Sequence, residues 1–236
     1  MNGVIALVGS GEFTPSMTEV DRGLLAATGH DRPRVAIVPT ASWPDGETVF
    51  MRWIRMGMDH FGALGAVPVP VLIRDRDSAD DPAAAAEISN ADLIYMSGGK
   101  PGHLLAMLRN SAAGTALREA HVRGAVIAGC SAGAMVLGGH QIRTGGGGFL
   151  RPPIGWQGAL GLVPGVVVVP HYDAIPEALL TPLVLAAPGG SVVVGIDENT
   201  AVVGRGGVWR VQGLGRVTVW RGRRHKRYLA GARISL

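Results

Sequence analysis

The chain has 236 residues, of which 47% are hydrophobic and 17% charged, and its mean hydropathy is +0.26. This composition excludes intrinsic disorder and provides enough apolar material for a large core. The net charge of +4 comes mostly from RGRRHKRY at residues 221–228, which we interpret as a solvated strand end. No aromatic-studded basic motif accompanies it, so nucleic acid is not an expected partner.

The chain carries no sequence signal for export or for a membrane. Its first apolar run is too short for a signal peptide and lacks a basic segment before it. No apolar run approaches the length of a membrane span. The only cysteine, Cys130, cannot form an internal disulfide. We therefore expect a cytoplasmic protein with no membrane partner.

Short apolar runs rich in β-branched residues alternate with longer helical patterns, which indicates a parallel α/β sheet. Several of the runs are apolar at nearly every position, as expected when helices cover both faces of the sheet. The pattern predicts a three-layer, flavodoxin-like sandwich with a mostly parallel central sheet. The predicted strands are 4–8, 34–39, 67–72, 92–96, 125–129, 166–170 and 192–196, and the predicted helices are 17–28, 47–65, 82–89, 102–110, 114–124 and 175–187.

The remaining segments are a long glycine-rich loop and a C-terminal region of short strands. Residues 144–162 lack periodicity and contain four consecutive glycines, which predicts a mobile loop whose residues 144–157 close over a small site. Beyond residue 200 the glycine turns predict two antiparallel hairpins. No repeat, linker or composition break interrupts the chain, so we predict one hydrolase domain over residues 1–236.

The segment GCSAG lies at the end of the predicted strand 125–129 and runs directly into a helical pattern. The pattern G-x-S-x-G in this context is typical of a nucleophile elbow, a strained turn that lifts Ser131 above the sheet. The backbone N–H of Ala132 then points to the place where an oxyanion would form. Cys130 lacks the flanking glycines, so we expect its side chain to point into the core.

A general base for Ser131 must lie just past a strand end at the same edge of the sheet. Of the seven histidines, His171 fits best, because it follows the apolar run VVVVP. His103 shares the expected edge and is the second candidate. His121 is expected at the opposite edge, and His140 at the far end of the elbow helix.

Only four acidic residues follow Ser131, and one of them must orient the base if the acid is C-terminal to the nucleophile. Asp197 and Glu198 end an apolar strand beside the expected site. A carboxylate there can accept a hydrogen bond from His Nδ1–H and so leave Nε2 free to take the serine proton. The residues alone leave these two open, together with Asp173 and Glu177.

Two further observations bear on cofactors and metals. The segment GSGEFT at residues 9–14 partly matches a dinucleotide-binding fingerprint, but Thr14 stands where the third glycine belongs. We predict a tight turn near the active edge, in which Glu12 contacts substrate. No cluster of His, Cys, Asp and Glu has metal-ligand spacing, so neither a metal nor another cofactor is expected.

With these motifs in view, the chain resembles the dipeptidase E and cyanophycinase family of serine peptidases, which have a class I glutamine amidotransferase-like fold. The resemblance rests on five motifs that occur in this order along the chain: LVGSGEF, LIYMSGGKPGHLL, AGCSAGAMVLG, VVPHYDAIPEALL and GIDENTAVV.

The resemblance implies Ser131 as nucleophile, His171 as base and Glu198 as the acid of the triad. It also implies that the SGG turn contributes an oxyanion N–H, so that Gly99 acts beside Ala132. We expect Lys100 and Asp173 to contact substrate.

The chain departs from the family pattern at two places. Val169 and Pro170 replace the acidic and amide residues that precede the histidine in cyanophycinase-like members. The helix after the histidine lacks the basic residues of dipeptidase E-like members. Both departures concern substrate choice rather than the nucleophile.

The sequence therefore predicts a serine peptidase that hydrolyses short peptides or isopeptide-like amides, with a small peptide as its partner. The sequence leaves a homodimer open. The alternatives are a non-catalytic protein that binds a small ligand on the same fold, and a glutamine amidotransferase-like enzyme that works through a thiol.

Overall fold

The computed structural model describes residues 2–143 and 155–236. Within them, helices and strands alternate through most of the first half and strands dominate the C-terminal part. The helices are α1 (Thr18–Ala27), α2 (Glu47–Ala63), α3 (Arg76–Ala79), α4 (Pro82–Ser89), α5 (Pro101–Leu108), α6 (Ala112–Arg123), α7 (Ala132–Leu137) and α8 (Glu177–Leu185). The strands are β1 (Ile5–Val8), β2 (Arg34–Val38), β3 (Val67–Pro70), β4 (Leu93–Met96), β5 (Val126–Cys130), β6 (Gly138–Arg143), β7 (Gly155–Gly158), β8 (Val163–Val169), β9 (Val192–Ile196), β10 (Thr200–Arg205), β11 (Val208–Gly213), β12 (Arg216–Arg221), β13 (Arg224–Leu229) and β14 (Arg233–Ser235).

The described strands form two sheets. The central sheet has the order β14-β11-β10-β1-β5-β4-β2-β3, and its five strands from β1 to β3 are parallel to one another. The second sheet has the order β13-β12-β9-β8-β6-β7, with β6, β8 and β9 parallel. The α/β fold with a central sheet between helices is thus confirmed, as are the antiparallel C-terminal hairpins β10–β11 and β12–β13.

Alternation along the buried strands sends successive side chains to opposite faces of the central sheet. In β1, Ala6 and Val8 pack with residues of α1 and α2, whereas Ile5 and Leu7 pack with residues of α5, α6 and α7. Each fully buried aliphatic side chain of this kind stabilises the fold by about 1.5–3 kcal/mol.

The second sheet packs onto the same cluster as Ile5 and Leu7. Its residues Val168 and Val194 face that cluster, and Val167 and Val193 face α8 instead. Both sheets therefore contribute to one continuous apolar layer. None of the helices in the described ranges combines the length and the apolarity needed to cross a bilayer.

Two features differ from the predicted layout. The strands predicted at 166–170 and 192–196 are present, but they belong to the second sheet and not to the sheet that carries the elbow. The elbow helix ends at Leu137, and His140 lies on β6, which was not predicted. Glycines and polar residues have a low strand propensity, so β6 forms through its pairing with β7 and β8.

Candidate active site

Three neighbouring parallel strands of the central sheet end at one place. β1, β5 and β4 are adjacent, and their carboxyl ends lead into the turn at residues 9–12, into Ser131 and into the turn at residues 97–99. Ligand sites of open α/β sheets lie outside the carboxyl ends of the strands. This edge is therefore where the sequence motifs converge.

Ser131 occupies a strained turn between β5 and α7. Its backbone has φ 51° and ψ −108°, a conformation that non-glycine residues rarely adopt. A Cβ on Gly129 would lie 2.4 Å from the carbonyl of Gly133, and one on Gly133 would lie 2.4 Å from the Met96 carbonyl. The two glycines of the motif are therefore required by backbone crowding.

His171 reaches Ser131 from the second sheet. It follows β8 in a left-handed conformation, with φ 50° and ψ 39°. The next residue, Tyr172, is buried under Gly195, where a Cβ would lie 2.2 Å from the ring, and its hydroxyl accepts a hydrogen bond from Trp220 Nε1 at 2.9 Å. This packing fixes the direction in which the imidazole leaves the chain.

The imidazole of His171 connects the hydroxyl to a carboxylate. Ser131 Oγ lies 2.9 Å from His171 Nε2, and His171 Nδ1 lies 2.7 Å from Glu198 Oε1. The structure thus brings together the three residues that were predicted as a triad. The order hydroxyl, imidazole and carboxylate is the arrangement in which a serine can lose its proton to histidine.

Asp197 and Glu198, the two main candidates for the acid that orients His171, make different contacts in the structure. Asp197 is buried and accepts hydrogen bonds from Arg216, at 2.9 Å from its N–H and 3.3 Å from its Nε. Glu198 points to His171, and its own backbone N–H donates to Asp173 Oδ1 at 2.8 Å. Asp173 was expected to contact substrate, but it stands behind the acid and is not part of the cavity wall.

A cavity of about 740 Å³ opens above Ser131 and His171. Lys100, which was expected to contact substrate, lines this cavity, and its ammonium forms an ion pair with Asp45 at 3.0 Å. Apolar side chains make up much of the rest of the wall. The described lining consists of Pro44, Gly99, Lys100, Pro101, Gly102, His103, Ser131, Ala132, Met135, Ile142, Pro170, His171 and Ile175.

Gly99 and Ala132, the two predicted oxyanion donors, both border this cavity. Gly99 has φ 139°, and a Cβ there would lie 2.3 Å from the Ala41 carbonyl, so only glycine fits. Among the described residues, neither backbone N–H has a hydrogen-bond partner in the protein. Both are free to bind a group in the cavity.

Cys130 lies on the other side of the chain from the cavity. Its side chain is fully buried and its Sγ donates to Glu12 Oε2 at 2.9 Å. Burial, together with the nearby Glu12 carboxylate, raises the pKa of the Cys130 thiol well above its usual value. A protonated, enclosed thiol does not support the amidotransferase-like alternative.

His103 and the turn at residues 9–12 both lie near the site, but each is held by contacts within the protein. His103 borders the cavity, but its Nε2 contacts the Arg74 carbonyl at 3.0 Å, and burial lowers its pKa. Cβ atoms on Gly9 and Gly11 would lie 2.1 Å from the Asp197 carbonyl oxygen and 2.3 Å from Asn199 Oδ1. The turn is therefore filled by protein atoms, and a dinucleotide pyrophosphate does not fit there.

The sequence did not reveal the contacts that Glu12 makes with Gly98 and Cys130. Glu12 was expected to touch substrate, yet it is 5% exposed and lies outside the cavity wall, with Oε1 accepting from Gly98 N at 2.8 Å. Residues 144–154, most of the loop expected to close over the site, lie outside the described ranges. Within those ranges no three His, Cys, Asp or Glu side chains are arranged to hold a metal ion.

Comparison with known proteins places this geometry in a family. The family model described as Peptidase family S51 matches residues 5–211. A cyanophycinase from Trichormus variabilis is 30% identical over 221 residues, which cover 91% of this chain and 72% of that protein.

Two solved structures have the same overall fold. A peptidase from an acI-B1 actinobacterium is 30% identical, has a TM-score of 0.88, and the match covers all of this chain and 98% of that one. A putative peptidase E from Listeria monocytogenes is 20% identical with a TM-score of 0.64, over 91% of this chain and all of that one, and shows the fold alone. The predicted resemblance is confirmed: this chain belongs to peptidase family S51.

Proposed function

We propose that the chain is a serine peptidase of the dipeptidase E and cyanophycinase type, with Ser131, His171 and Glu198 as its triad. The observation that carries this proposal is the pair of contacts at 2.9 and 2.7 Å that joins hydroxyl, imidazole and carboxylate beside the cavity. Membership of a peptidase family supports hydrolysis as the class of reaction.

The contacts imply a definite sequence of proton transfers. Glu198 accepts a hydrogen bond from His171 Nδ1–H, which leaves Nε2 as the atom that removes the proton from Ser131 Oγ. The oxygen then forms a bond to the substrate carbonyl carbon, and the imidazolium returns its proton to the leaving amine as the C–N bond breaks. Water repeats the attack on the acyl-enzyme with His171 again as base.

The negative charge of the tetrahedral intermediate needs donors that are already in place. The free N–H groups of Gly99 and Ala132 border the cavity on the side of the nucleophile, and we assign them to the oxyanion. Removing one such donor from an enzyme of this kind lowers the rate by roughly 10²–10³-fold.

The cavity favours short substrates over folded proteins. Its volume of about 740 Å³ lies in the range of small-molecule sites. Met135, Ile142 and Ile175 offer apolar contacts, and Lys100 offers one cation at the wall. Val169 and Pro170 lack the polar groups that precede the histidine in cyanophycinase-like members, so we propose a short peptide or isopeptide-like amide rather than cyanophycin itself.

A fluorophosphonate probe, which reacts with activated serines, tests the proposal without knowledge of the substrate. We expect labelling of the wild type and none of Ser131→Ala. The adjacent substitution Cys130→Ala is the matched control, because the thiol does not face the cavity, and it should label like the wild type. A dipeptide and isoaspartyl-peptide library then identifies the substrate, and Ser131→Ala should lower its kcat by about 10⁴-fold or more.

Two results would contradict the proposal. A correctly folded wild type that the probe does not label would favour the non-catalytic binding protein. Activity that Cys130→Ala abolishes and Ser131→Ala leaves intact would favour the thiol enzyme.

A further inference from the structure

Glu12 is a buried carboxylate that the proposed chemistry does not use. It stands in the turn after β1, is 5% exposed, and both of its oxygens have donors. Gly98 N–H donates to Oε1 at 2.8 Å and Cys130 Sγ donates to Oε2 at 2.9 Å. A buried carboxylate is costly unless it is hydrogen-bonded, so this position requires a structural or functional reason.

The N–H group that donates to Glu12 Oε1 lies in the turn that carries a proposed oxyanion donor, residues 97–100. Four consecutive residues form this turn, and the N–H groups of three of them have partners inside the protein. Ser97 N–H donates to the Val38 carbonyl at 3.2 Å, and Lys100 N–H donates to the Ala41 carbonyl at 2.6 Å. Gly98 N–H donates to Glu12, which leaves Gly99 N–H free at the cavity wall.

We propose that Glu12 is a positioning residue: its carboxylate anchors the peptide before Gly99 and thereby aims the Gly99 N–H at the oxyanion. This inference rests on the proposed serine peptidase function. Backbone carbonyls hold the two ends of the turn, and Glu12 is the only side chain among the described residues that holds its middle.

Crowding around Gly98 shows why the anchor works. A Cβ built on Gly98 would lie 2.9 Å from Glu12 Oε1 and 3.7 Å from Ser131 Oγ. Gly98 is thus close to both the carboxylate and Ser131, and a shift of the turn would move Gly99 relative to Ser131. Glu12 is outside the cavity wall, so it acts through the turn and not by touching substrate.

Cys130 contacts the second oxygen of the carboxylate and does not touch the turn. Because burial raises the pKa of its thiol, the group stays protonated and remains a donor to Oε2. A thiol is a weak donor compared with an amide. The hydrogen bond to Gly98 N–H is therefore the contact that we expect to carry the effect.

Two conservative substitutions of Glu12 separate the effect of side-chain length from the effect of charge. Glu12→Asp keeps the charge but is one methylene too short to hold Gly98 N–H at 2.8 Å. Glu12→Gln keeps the length and an acceptor oxygen but removes the charge. We expect the fluorophosphonate labelling rate and kcat to fall roughly 10²-fold in Glu12→Asp, as for a misplaced oxyanion donor, with KM changed little.

Glu12→Gln should keep both the labelling rate and kcat within about fivefold of the wild type, since its amide oxygen can still accept a hydrogen bond from Gly98 N–H. Cys130→Ala should also stay within about fivefold, because it leaves the contact between Glu12 and Gly98 intact. Thermal unfolding of each variant shows that it is folded. A merely structural role would instead lower the melting temperature and the active fraction together, so a loss of rate in Glu12→Asp at an unchanged melting temperature distinguishes positioning from it.

The outcomes distinguish this inference from the function on which it rests. A wild type that is labelled at Ser131, with Glu12→Asp labelled equally fast, overturns the role of Glu12 alone. A loss of activity in Glu12→Gln equal to that in Glu12→Asp would also overturn it, because an acceptor oxygen held at the right distance from Gly98 N–H would then not be sufficient. A folded wild type that is not labelled at all overturns both.

Discussion

Glu198 and Asp197 are neighbours in the chain, and the structure gives them different tasks. Glu198 Oε1 contacts His171 Nδ1 at 2.7 Å, whereas Asp197 is bound to Arg216 and has no contact with the imidazole. We predict that Glu198→Gln impairs catalysis but not folding, and that Asp197→Asn does the reverse. Each substitution removes a charge and keeps the length of its side chain.

The exposure of the pair sets the size of the catalytic effect. At 2.7 Å, two unit charges attract by about 1.5 kcal/mol in water and by about 6 kcal/mol at an effective dielectric constant of 20. The side chains of His171 and Glu198 are 38% and 43% exposed, so the value lies towards the aqueous limit, at about 2–3 kcal/mol. That corresponds to a loss of roughly 30–150-fold in kcat, well below the ~10⁴-fold of a fully buried triad acid.

Asp197→Asn weakens a charge-assisted contact at a buried position, where its side chain is 6% exposed. We expect a loss of about 1–3 kcal/mol in the free energy of unfolding, and a kcat within about threefold of the wild type because Glu198 is untouched. Urea unfolding measures the loss of stability, and the fluorophosphonate labelling rate measures the effect on catalysis. Equal catalytic losses in the two variants, or an unchanged rate in Glu198→Gln, would refute the assignment of the acid.

Three further predictions concern the elbow, the histidine turn and pH. Gly133→Ala should unfold the elbow and abolish labelling, because its Cβ would lie 2.4 Å from a β4 carbonyl. The control is Gly102→Ala, whose Cβ would lie in open space at the same cavity and which should label normally. Labelling of Gly133→Ala would refute the crowding argument. Tyr172→Phe should lower the free energy of unfolding by about 1–3 kcal/mol in urea, since Trp220 Nε1 loses its buried acceptor; an unchanged midpoint would show that water replaces the hydroxyl. Burial lowers the pKa of His121 in the folded protein. As pH falls below about 6.5, the unfolded chain therefore binds a proton at this histidine before the folded protein does, and stability decreases. His121→Gln should flatten this part of the stability curve, measured from pH 7.5 to 5.5, and a curve that keeps its slope would contradict the assignment.

Local rules were sufficient for the nucleophile and for most elements. The motif G-x-S-x-G predicts the crowding at Gly129, because that clash is with Gly133 in the same motif, whereas the clash at Gly133 is with Met96 of the neighbouring strand. The apolar runs predict seven of the eight described strands that have a parallel partner, and only β6 is missed. His171 was predictable as a residue just past such a strand.

Long-range pairing was not predictable in the same way. An apolar run shows that a strand is buried but does not name its partner, so β8 and β9 could not be assigned to a second sheet. The choice between Asp197 and Glu198 depends on which side of the connection from β9 to β10 faces His171. The contact between Glu12 and Gly98 joins residues 86 positions apart, and nothing local to either residue signals it.

The proposed nucleophile and base lie in different sheets: Ser131 follows β5, His171 follows β8, and residues 197–199 connect β9 of the second sheet to β10 of the central sheet. The reaction rate therefore depends on how the two sheets are placed relative to each other. A displacement of about 1 Å along the interface between them misaligns the hydroxyl and the imidazole and lowers the rate on the order of 10²-fold. On gentle heating, catalysis should fail before the secondary structure melts.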